Sequence, residues 1–243
     1  MPVAMITGGG SWMSRWTAQR LVEDCECRIE LFDRDLEAAK KIAAELGGSN
    51  AIRTDKLDVT RYDDMLRAAQ GVYERNGSID ALVNVAGGTR SQGLTHKNFV
   101  ETPPAEWDIV FNNNLKTVFN ATHAVLPYMK RQKKGAIVSV AAGRGLKGGP
   151  KASLYSAAKA GIILFTQLIS AELAPFGIRI NTIAPGNAES RWKGTNPISD
   201  KKSPLGRPTT AEDCGNAIAF LISEKASHIT GSCLDVSGGT SLY

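Results

Sequence analysis

The sequence predicts an α/β protein: one doubly wound parallel sheet of about seven strands, with helices on both faces. Short apolar runs, such as Val3–Thr7 and Ile79–Val85, alternate with helix-length segments along the whole chain. The first apolar run passes directly into Gly8-Gly9-Gly10-Ser11, a glycine turn that opens a helix. A length of 243 residues suits one large domain, 1–243, and leaves little room for a second.

The first strand, Val3–Thr7, is followed by a helix from about Ser14 to Asp24. Arg28–Asp33 reads as the second strand. Asp35 is placed to cap a helix running to Leu46, which Gly47-Gly48 would stop. A third strand near 51–57 precedes a helix over about 61–75, and Ile79–Val85 is a buried-looking fourth strand. A long helix spans about 104–131. Ala136–Ala141 is the fifth strand, about 153–175 a helix, and Ile178–Ile183 the sixth strand. Residues 187–203 are polar and rich in Lys, Ser and Pro, and read as a mobile substrate loop. A helix near 211–223 and a strand near 232–236 close the chain.

Composition narrows the function classes. The 29 basic and 24 acidic residues leave a net charge of +5, which is mild for a nucleic-acid binder. The densest basic run, Lys130, Arg131, Lys133 and Lys134, closes a predicted helix and complements its dipole. No uninterrupted apolar run reaches 18 residues, so no membrane span is expected, and the N-terminus reads as a strand instead of a leader. Cys25, Cys27, Cys214 and Cys233 are scattered, and His96, His123 and His228 are isolated. Reduced thiols, a cytoplasmic location and no metal are expected.

Doubly wound sheets bind ligands beyond the carboxyl ends of their strands, where the strand order reverses. The chemistry-bearing residues should therefore follow strands one, two, four, five and six. Free N–H groups after Gly8 favour a phosphate. Asp33, ending strand two, can accept from both hydroxyls of an adenine ribose and repels a 2′-phosphate, which favours NAD(H) over NADP(H). Arg34 beside it could instead pair with that phosphate. After strand five, Tyr155 and Lys159 stand four residues apart, on one helix face. An ammonium there is expected to draw the phenol pKa down toward the working pH. Arg90, Arg144, Lys147, Arg191 and Lys193 flank the same end, beside Trp192, and suggest an anionic substrate.

Taken together, the chain resembles the short-chain dehydrogenase/reductase family from end to end. The matching stretches are Thr7-Gly8, Leu57-Asp58-Val59-Thr60, Asn84-Val85-Ala86-Gly87, Asn114-Leu115-Lys116, Tyr155-Ser156-Ala157-Ala158-Lys159, Pro185-Gly186, Pro204–Arg207, Ile229–Gly231 and Ser237–Gly239. The resemblance implies a Rossmann-type fold and a nicotinamide cofactor. It implies Tyr155 as general acid/base, Lys159 as its partner on the cofactor ribose, and Asn114 as holder of a relay water. Cofactor contacts are implied for Thr7, Gly8, Ser11, Trp12, Met13, Asp33, Asp58, Val59, Asn84, Ala86, Gly87, Tyr155, Lys159, Pro185, Gly186, Ala188 and Ser190. Ala142, Arg144 and Trp192 are implied on the substrate side.

Two departures stand out. The family's loop carries glycines where this chain has Trp12 and Ser14, although a variant loop of divergent reductases, Gly-x5-Ser, is matched by Gly8 and Ser14. An indole at Trp12 either swings aside or fills cofactor space, which would leave the protein without a cofactor. The halohydrin dehalogenases, a cofactor-free branch, carry an aromatic residue there but pair Tyr with Arg. The family's catalytic serine, thirteen residues before the tyrosine, is here Ala142. Ser139 should lie too deep to replace it, and Ser153 should cap the helix of Tyr155.

The function implied is an NAD(H)-dependent oxidoreductase that interconverts a secondary alcohol and a ketone. Two alternatives stand beside it: a non-redox enzyme of this fold (isomerase, lyase or dehalogenase type), and a noncatalytic nucleotide-binding relative. The expected partner is a small molecule, with no nucleic acid and no membrane. By analogy with the family the chain forms a homotetramer or homodimer through its long helices, where Ala157, Ala158, Ala160 and Gly161 would permit close approach.

Overall fold

The structure is a computed structural model and describes residues 1–47, 52–89, 93–186 and 203–241. Seven parallel strands form one sheet: β1 (Val3–Thr7), β2 (Arg28–Asp33), β3 (Ile52–Lys56), β4 (Ala81–Asn84), β5 (Gly135–Val140), β6 (Ile178–Pro185) and β7 (Cys233–Val236). Their order is β3-β2-β1-β4-β5-β6-β7, so the direction of winding reverses between β1 and β4.

Alternation along each strand builds two cores, because successive side chains point to opposite faces. Met5, Leu82, Ile137 and Ile180 face one side. There α3 (Tyr62–Asn76) adds Met65 and Val72, and α5 (Thr117–Gln132) adds Val125 and Met129. Ile6, Val83, Val138 and Ile183 face the other side. There α1 (Trp12–Cys25) adds Leu21, α2 (Leu36–Glu45) adds Ile42, and α8 (Ala211–Ile222) adds Ile218. The helices thus lie on both faces, as the sequence predicts.

Several local expectations are met or revised. Asp35 caps α2, its carboxylate accepting from the Ala38 N–H at 3.1 Å. The long helix is interrupted: α4 (Ala105–Phe111) and α5 are joined by a π-turn over Asn112–Lys116. Such π-turns concentrate at functional sites, and this one carries Asn114. A short helix, α6 (Gly143–Lys147), was not legible in the sequence. Ser153 does not cap α7 (Ser153–Leu173). It is the first helical residue, the cap position is Ala152, and no side-chain capping bond forms.

Among the described residues, one segment, Ser153–Phe176, is long and apolar enough to cross a membrane by length and composition. Here it packs on the sheet, burying Ile162, Ile163 and Lys159 while leaving Leu164 and Leu168 exposed. Ala158 and Gly161 point inward, Gly161 against Leu115, so these two do not offer a close-packing outer face.

Candidate active site

A cleft of about 270 Å³ opens at the carboxyl ends of β1, β2 and β4, beside the point where the winding reverses. Its walls include Gly8, Gly10, Asp33, Asp58, Ala86 and Gly87. Gly8 adopts φ +71°, and a side chain there would meet the Ala86 backbone at 2.7 Å, so only glycine lets the loop lie against β4's exit. The Asp33 carboxylate holds the loop in place. One oxygen accepts from Gly10 N–H and the other from Asp35 N–H, both at 2.9 Å. Each carboxylate oxygen has a second lone pair, so both can still accept a hydroxyl.

Ser14 shows why a serine is tolerated where glycine is usual. It is fully buried, and its hydroxyl donates to the Gly8 carbonyl at 2.7 Å. That carbonyl can only accept, so the proton is committed. In the 2.8 Å contact between the two serine hydroxyls, Ser11 must therefore be the donor. Ser11 also caps α1 by accepting from Ser14 N–H. The N–H groups of Trp12 and Met13, at the start of α1, have no acceptor among the described residues. They form a phosphate-sized seat at a helix N-terminus. Trp12 does not line the cleft. Its indole is 39% exposed, with the Arg15 guanidinium 5.4 Å from the ring centre. The glycine loop, the two open N–H groups and the Asp33 carboxylate fit a dinucleotide.

Next to the cleft, Tyr155 and Lys159 lie one turn apart on α7. The Lys159 ammonium donates to the Val140 carbonyl at 2.9 Å and sits 5.7 Å from the Tyr155 ring centre. Asn114 is fully buried and locked: its carbonyl oxygen accepts from Gly88 N–H, and its amide donates to Gly88 and Val110 carbonyls. Gly87, at φ +153°, lets the chain pass between them. A side chain there would lie 3.0 Å from Asn114 Oδ1 and 3.4 Å from Lys159 Nζ. Tyr155, Lys159, Asn114 and Gly87 are thus brought together by α7, the π-turn and the exit of β4.

The electrostatics differ from the expectation. Burial pushes the Tyr155 phenol up to about 12, against the pull of the nearby Arg144 guanidinium. Burial brings Lys159 down to about 8. Lys159 does not draw the phenol down, because its ammonium is turned to the Val140 carbonyl; Arg144 is the cation that acts on Tyr155. Arg144 is itself held by donating to the Pro150 carbonyl at 3.2 Å.

Other expected contacts are redistributed. Asn84 faces the core instead of the cleft: it is buried, and its amide donates to Thr122 and Ser139 hydroxyls. Ser139 is fully buried, as its place in the strand predicted. Thr7 is also buried, with no hydrogen bond to its hydroxyl among the described residues, and does not line the cleft. Pro185 ends β6; the Gly186 N–H that follows donates to the Val236 carbonyl, and a side chain at Gly186 would meet Ser237 at 2.8 Å. Ala142 caps α6 with no side-chain acceptor, two residues beyond the carbonyl that holds Lys159. The expectations for Ala188, Ser190, Trp192, Arg90, Arg191 and Lys193, and for the loop up to residue 202, lie outside the described residues.

Two groups escaped the sequence reading. Ala38, Thr60, Asn113 and Thr117 also line the cleft. Thr60 ends the matched stretch Leu57–Thr60 and Asn113 adjoins Asn114, which was the available signal. His96 stands by Tyr155, with ring centres 5.9 Å apart; nothing in its spacing announced this. A larger cavity, about 760 Å³, lies at the opposite, amino-terminal edge of the sheet. Two of its polar groups are committed to structure: Arg179 donates to the Leu221, Ile222 and Ser223 carbonyls, and Asp80 accepts from Val3 N–H and Ser78. Among the described residues no cluster could hold a metal ion.

Comparison with known proteins agrees with this geometry. The family profile described as enoyl-(acyl carrier protein) reductase matches residues 13–241. The 3-oxoacyl-(acyl-carrier-protein) reductase FabG of Thermotoga maritima is 34% identical over 98% of this chain and 96% of its own. The crystal structure of a 3-ketoacyl-(acyl-carrier-protein) reductase from Brucella melitensis complexed with NADH superposes with a TM-score of 0.90, at 29% identity, over 99% of this chain and 98% of that one. Levodione reductase gives a TM-score of 0.89 at 31% identity, with the same coverage. The chain belongs to the short-chain dehydrogenase/reductase family, as an oxidoreductase-type member with the seven-stranded parallel sheet of its relatives.

Proposed function

We propose that the protein is a nicotinamide-dependent ketone reductase that uses NAD(H) in preference to NADP(H), with Tyr155 as the proton donor. One observation carries this reading: Tyr155 and Lys159 stand on one face of α7, against Gly87 and Asn114, beside the cleft that Asp33 closes. The NADH in the Brucella relative supports the cofactor class. When bound, the cofactor supplies or takes a hydride. The chain's own groups do the rest. The Trp12 and Met13 N–H groups and Asp33 would hold the dinucleotide along the cleft that Gly8, Asp58, Val59, Ala86 and Gly87 line. Lys159 would bond the nicotinamide ribose, and Asn114, locked beside Gly87, would fix the path by which protons reach Lys159. The substrate ketone faces Tyr155. The neutral phenol and the charged ammonium at neutral pH suit proton donation, hence the reductive direction.

The names of the relatives point to 3-oxoacyl thioesters as the ketone class. Arg144 and Lys151 offer cations near Tyr155 for an anionic pantetheine-bearing carrier. The working form is a homodimer or homotetramer, supported by exposed Phe119 on α5 and Leu164 and Leu168 on α7, and the enzyme works in the cytoplasm.

Titration with NADH and with NADPH, followed by tryptophan quenching and calorimetry, tests the cofactor; turnover of acetoacetyl-coenzyme A tests the substrate. Binding of NADH at least about tenfold tighter than NADPH is expected. Preference for NADPH would assign the lip of the cleft to Arg34, which lines it beside Asp33. Binding of neither would remove the reading.

A further inference from the structure

Far from the cleft, the turn that leaves α1 brings two thiols together. α1 ends at Cys25, and Glu26 turns the chain with φ 52° and ψ 34°, a left-handed conformation that residues other than glycine seldom adopt. The Cys27 N–H reaches back to the Leu21 carbonyl at 3.0 Å and fixes the turn. The Cys27 sulfur then lies 3.7 Å from the Cys25 carbonyl oxygen, and the Cys25 sulfur 3.8 Å from the Ala219 carbonyl oxygen of α8. Cα atoms two residues apart are at most about 7 Å apart when the residue between them is extended. They are closer when it is turned, so Glu26 brings this pair within the span of a disulfide. Both thiols line the cavity of about 760 Å³ at the amino-terminal edge of the sheet, with Lys225 and His228. Cys25 is half-buried and Cys27 buried. The hydrogen bond from Cys27, helped by the Lys225 ammonium, holds the Cys25 thiol below its usual value against burial and Asp24. The same bond and burial push the Cys27 thiol up. An accessible sulfur that favours the thiolate beside a thiol that stays protonated is the arrangement of an attacking and a resolving cysteine. Cys214 and Cys233 lack it: burial raises both.

We propose that Cys25 is a peroxide-reactive thiol and Cys27 its resolving partner, the two closing an intrachain disulfide at the exit of α1. The oxidant is a hydroperoxide, and the inference does not rest on the ketone-reductase reading. The Cys25 thiolate attacks one peroxide oxygen. The O–O bond breaks, hydroxide leaves with the bonding pair and takes up the proton that Cys25 released, and Cys25 becomes a sulfenic acid. Cys27 then gives up its proton and its sulfur attacks the Cys25 sulfur. The S–O bond breaks, and hydroxide leaves to take that proton as water. Two thiols are oxidised by two electrons in all, and one hydrogen peroxide is reduced to two waters. A dithiol reductant reverses the change by exchange at the disulfide.

The test treats the reduced full chain with hydrogen peroxide, quenches with iodoacetamide and reads the intact mass and the tryptic peptides. Trypsin releases Leu21–Arg28, which carries both of these cysteines and neither of the other two. In the wild type this peptide should become about 2 Da lighter than its unalkylated dithiol form, and dithiothreitol should restore two alkylatable thiols. Cys27→Ser should stop at the sulfenic acid, about 16 Da heavier on the same peptide and trapped by dimedone. Cys25→Ser should consume peroxide at least about tenfold more slowly than the wild type, and Cys214→Ser with Cys233→Ser at the wild-type rate. Three results would overturn the proposal: oxidation first at Cys214 or Cys233, equal rates in the wild type and Cys25→Ser, or a Leu21–Arg28 peptide that shows no disulfide when oxidised. A disulfide that joins two chains on a non-reducing gel would overturn it equally. The wild-type peptide decides the matter by itself if a substitution unfolds the chain.

Discussion

Replacing Lys159 by Met tests the electrostatics of the site without any knowledge of the substrate. Lys159 is 4% exposed, and burial brings its ammonium from 10.5 down to about 8. Between those values the unfolded chain binds a proton that the folded chain has released, so stability should rise with pH across that window. At about pH 7 the charged ammonium costs the fold about 3 kcal/mol; at about pH 10 the cost falls below about 1 kcal/mol. The variant lacks this slope. The stability of the wild type minus that of Lys159→Met should therefore increase by about 2.5 kcal/mol from about pH 7 to about pH 10. Tyr155, pushed up to about 12, titrates in both proteins and largely cancels in the difference. The variant also leaves the Val140 carbonyl without its donor, which costs about 1–3 kcal/mol. This offset does not depend on pH and leaves the slope intact. Urea unfolding followed by tryptophan fluorescence, at matched protein concentration, measures the quantity. A difference that stays flat within about 0.5 kcal/mol would refute a desolvated ammonium at this position.

Two further outcomes follow from the loop. Ser14→Gly restores the residue usual in the family but removes the buried bond to the Gly8 carbonyl and adds a glycine to the first turn of α1, so the protein should lose about 1–2 kcal/mol, or about 2–8 °C in Tm. An unchanged thermal midpoint would mean that the hydroxyl contributes nothing. Asp33→Asn removes the charge opposite a 2′-phosphate and one of the two backbone acceptors; NADH affinity should fall about tenfold or more while the preference moves toward NADPH. Equal losses for both cofactors in calorimetry would show that Asp33 only shapes the loop.

The fold was largely legible because its signals are local. Apolar runs of strand length, the Asp35 cap and the glycine turn after Thr7 each act within a few residues. α6 was not legible, since Gly143-Arg144-Gly145 opposes a helix and only packing on α7 secures it. The same contrast holds in the site. Tyr155 and Lys159 share a helix, so their spacing already places them on one face. Asn84 sits in a motif, but whether it faces the cleft or the core is set by its partners Thr122 and Ser139, 38 and 55 residues away. His96 reaches Tyr155 through an anchored connection between β4 and α4, and no sequence period describes that route.

The tyrosine–lysine spacing also said less about ionisation than about position. A Coulomb argument from separation alone expects the ammonium to favour the phenolate. In the folded chain Lys159 is buried and Tyr155 partly so, and desolvation disfavours either charged form, raising Tyr155 and lowering Lys159. The ammonium keeps its charge at neutral pH with the Val140 carbonyl as its partner among the described residues, while the phenol stays neutral. Proton donation by Tyr155 then needs something else to receive the negative charge left on its oxygen. Arg144 is the cation already acting on the phenol. Its Pro150 anchor fixes it at the mouth of the site, which couples proton transfer at Tyr155 to whatever anionic group a substrate brings to that guanidinium.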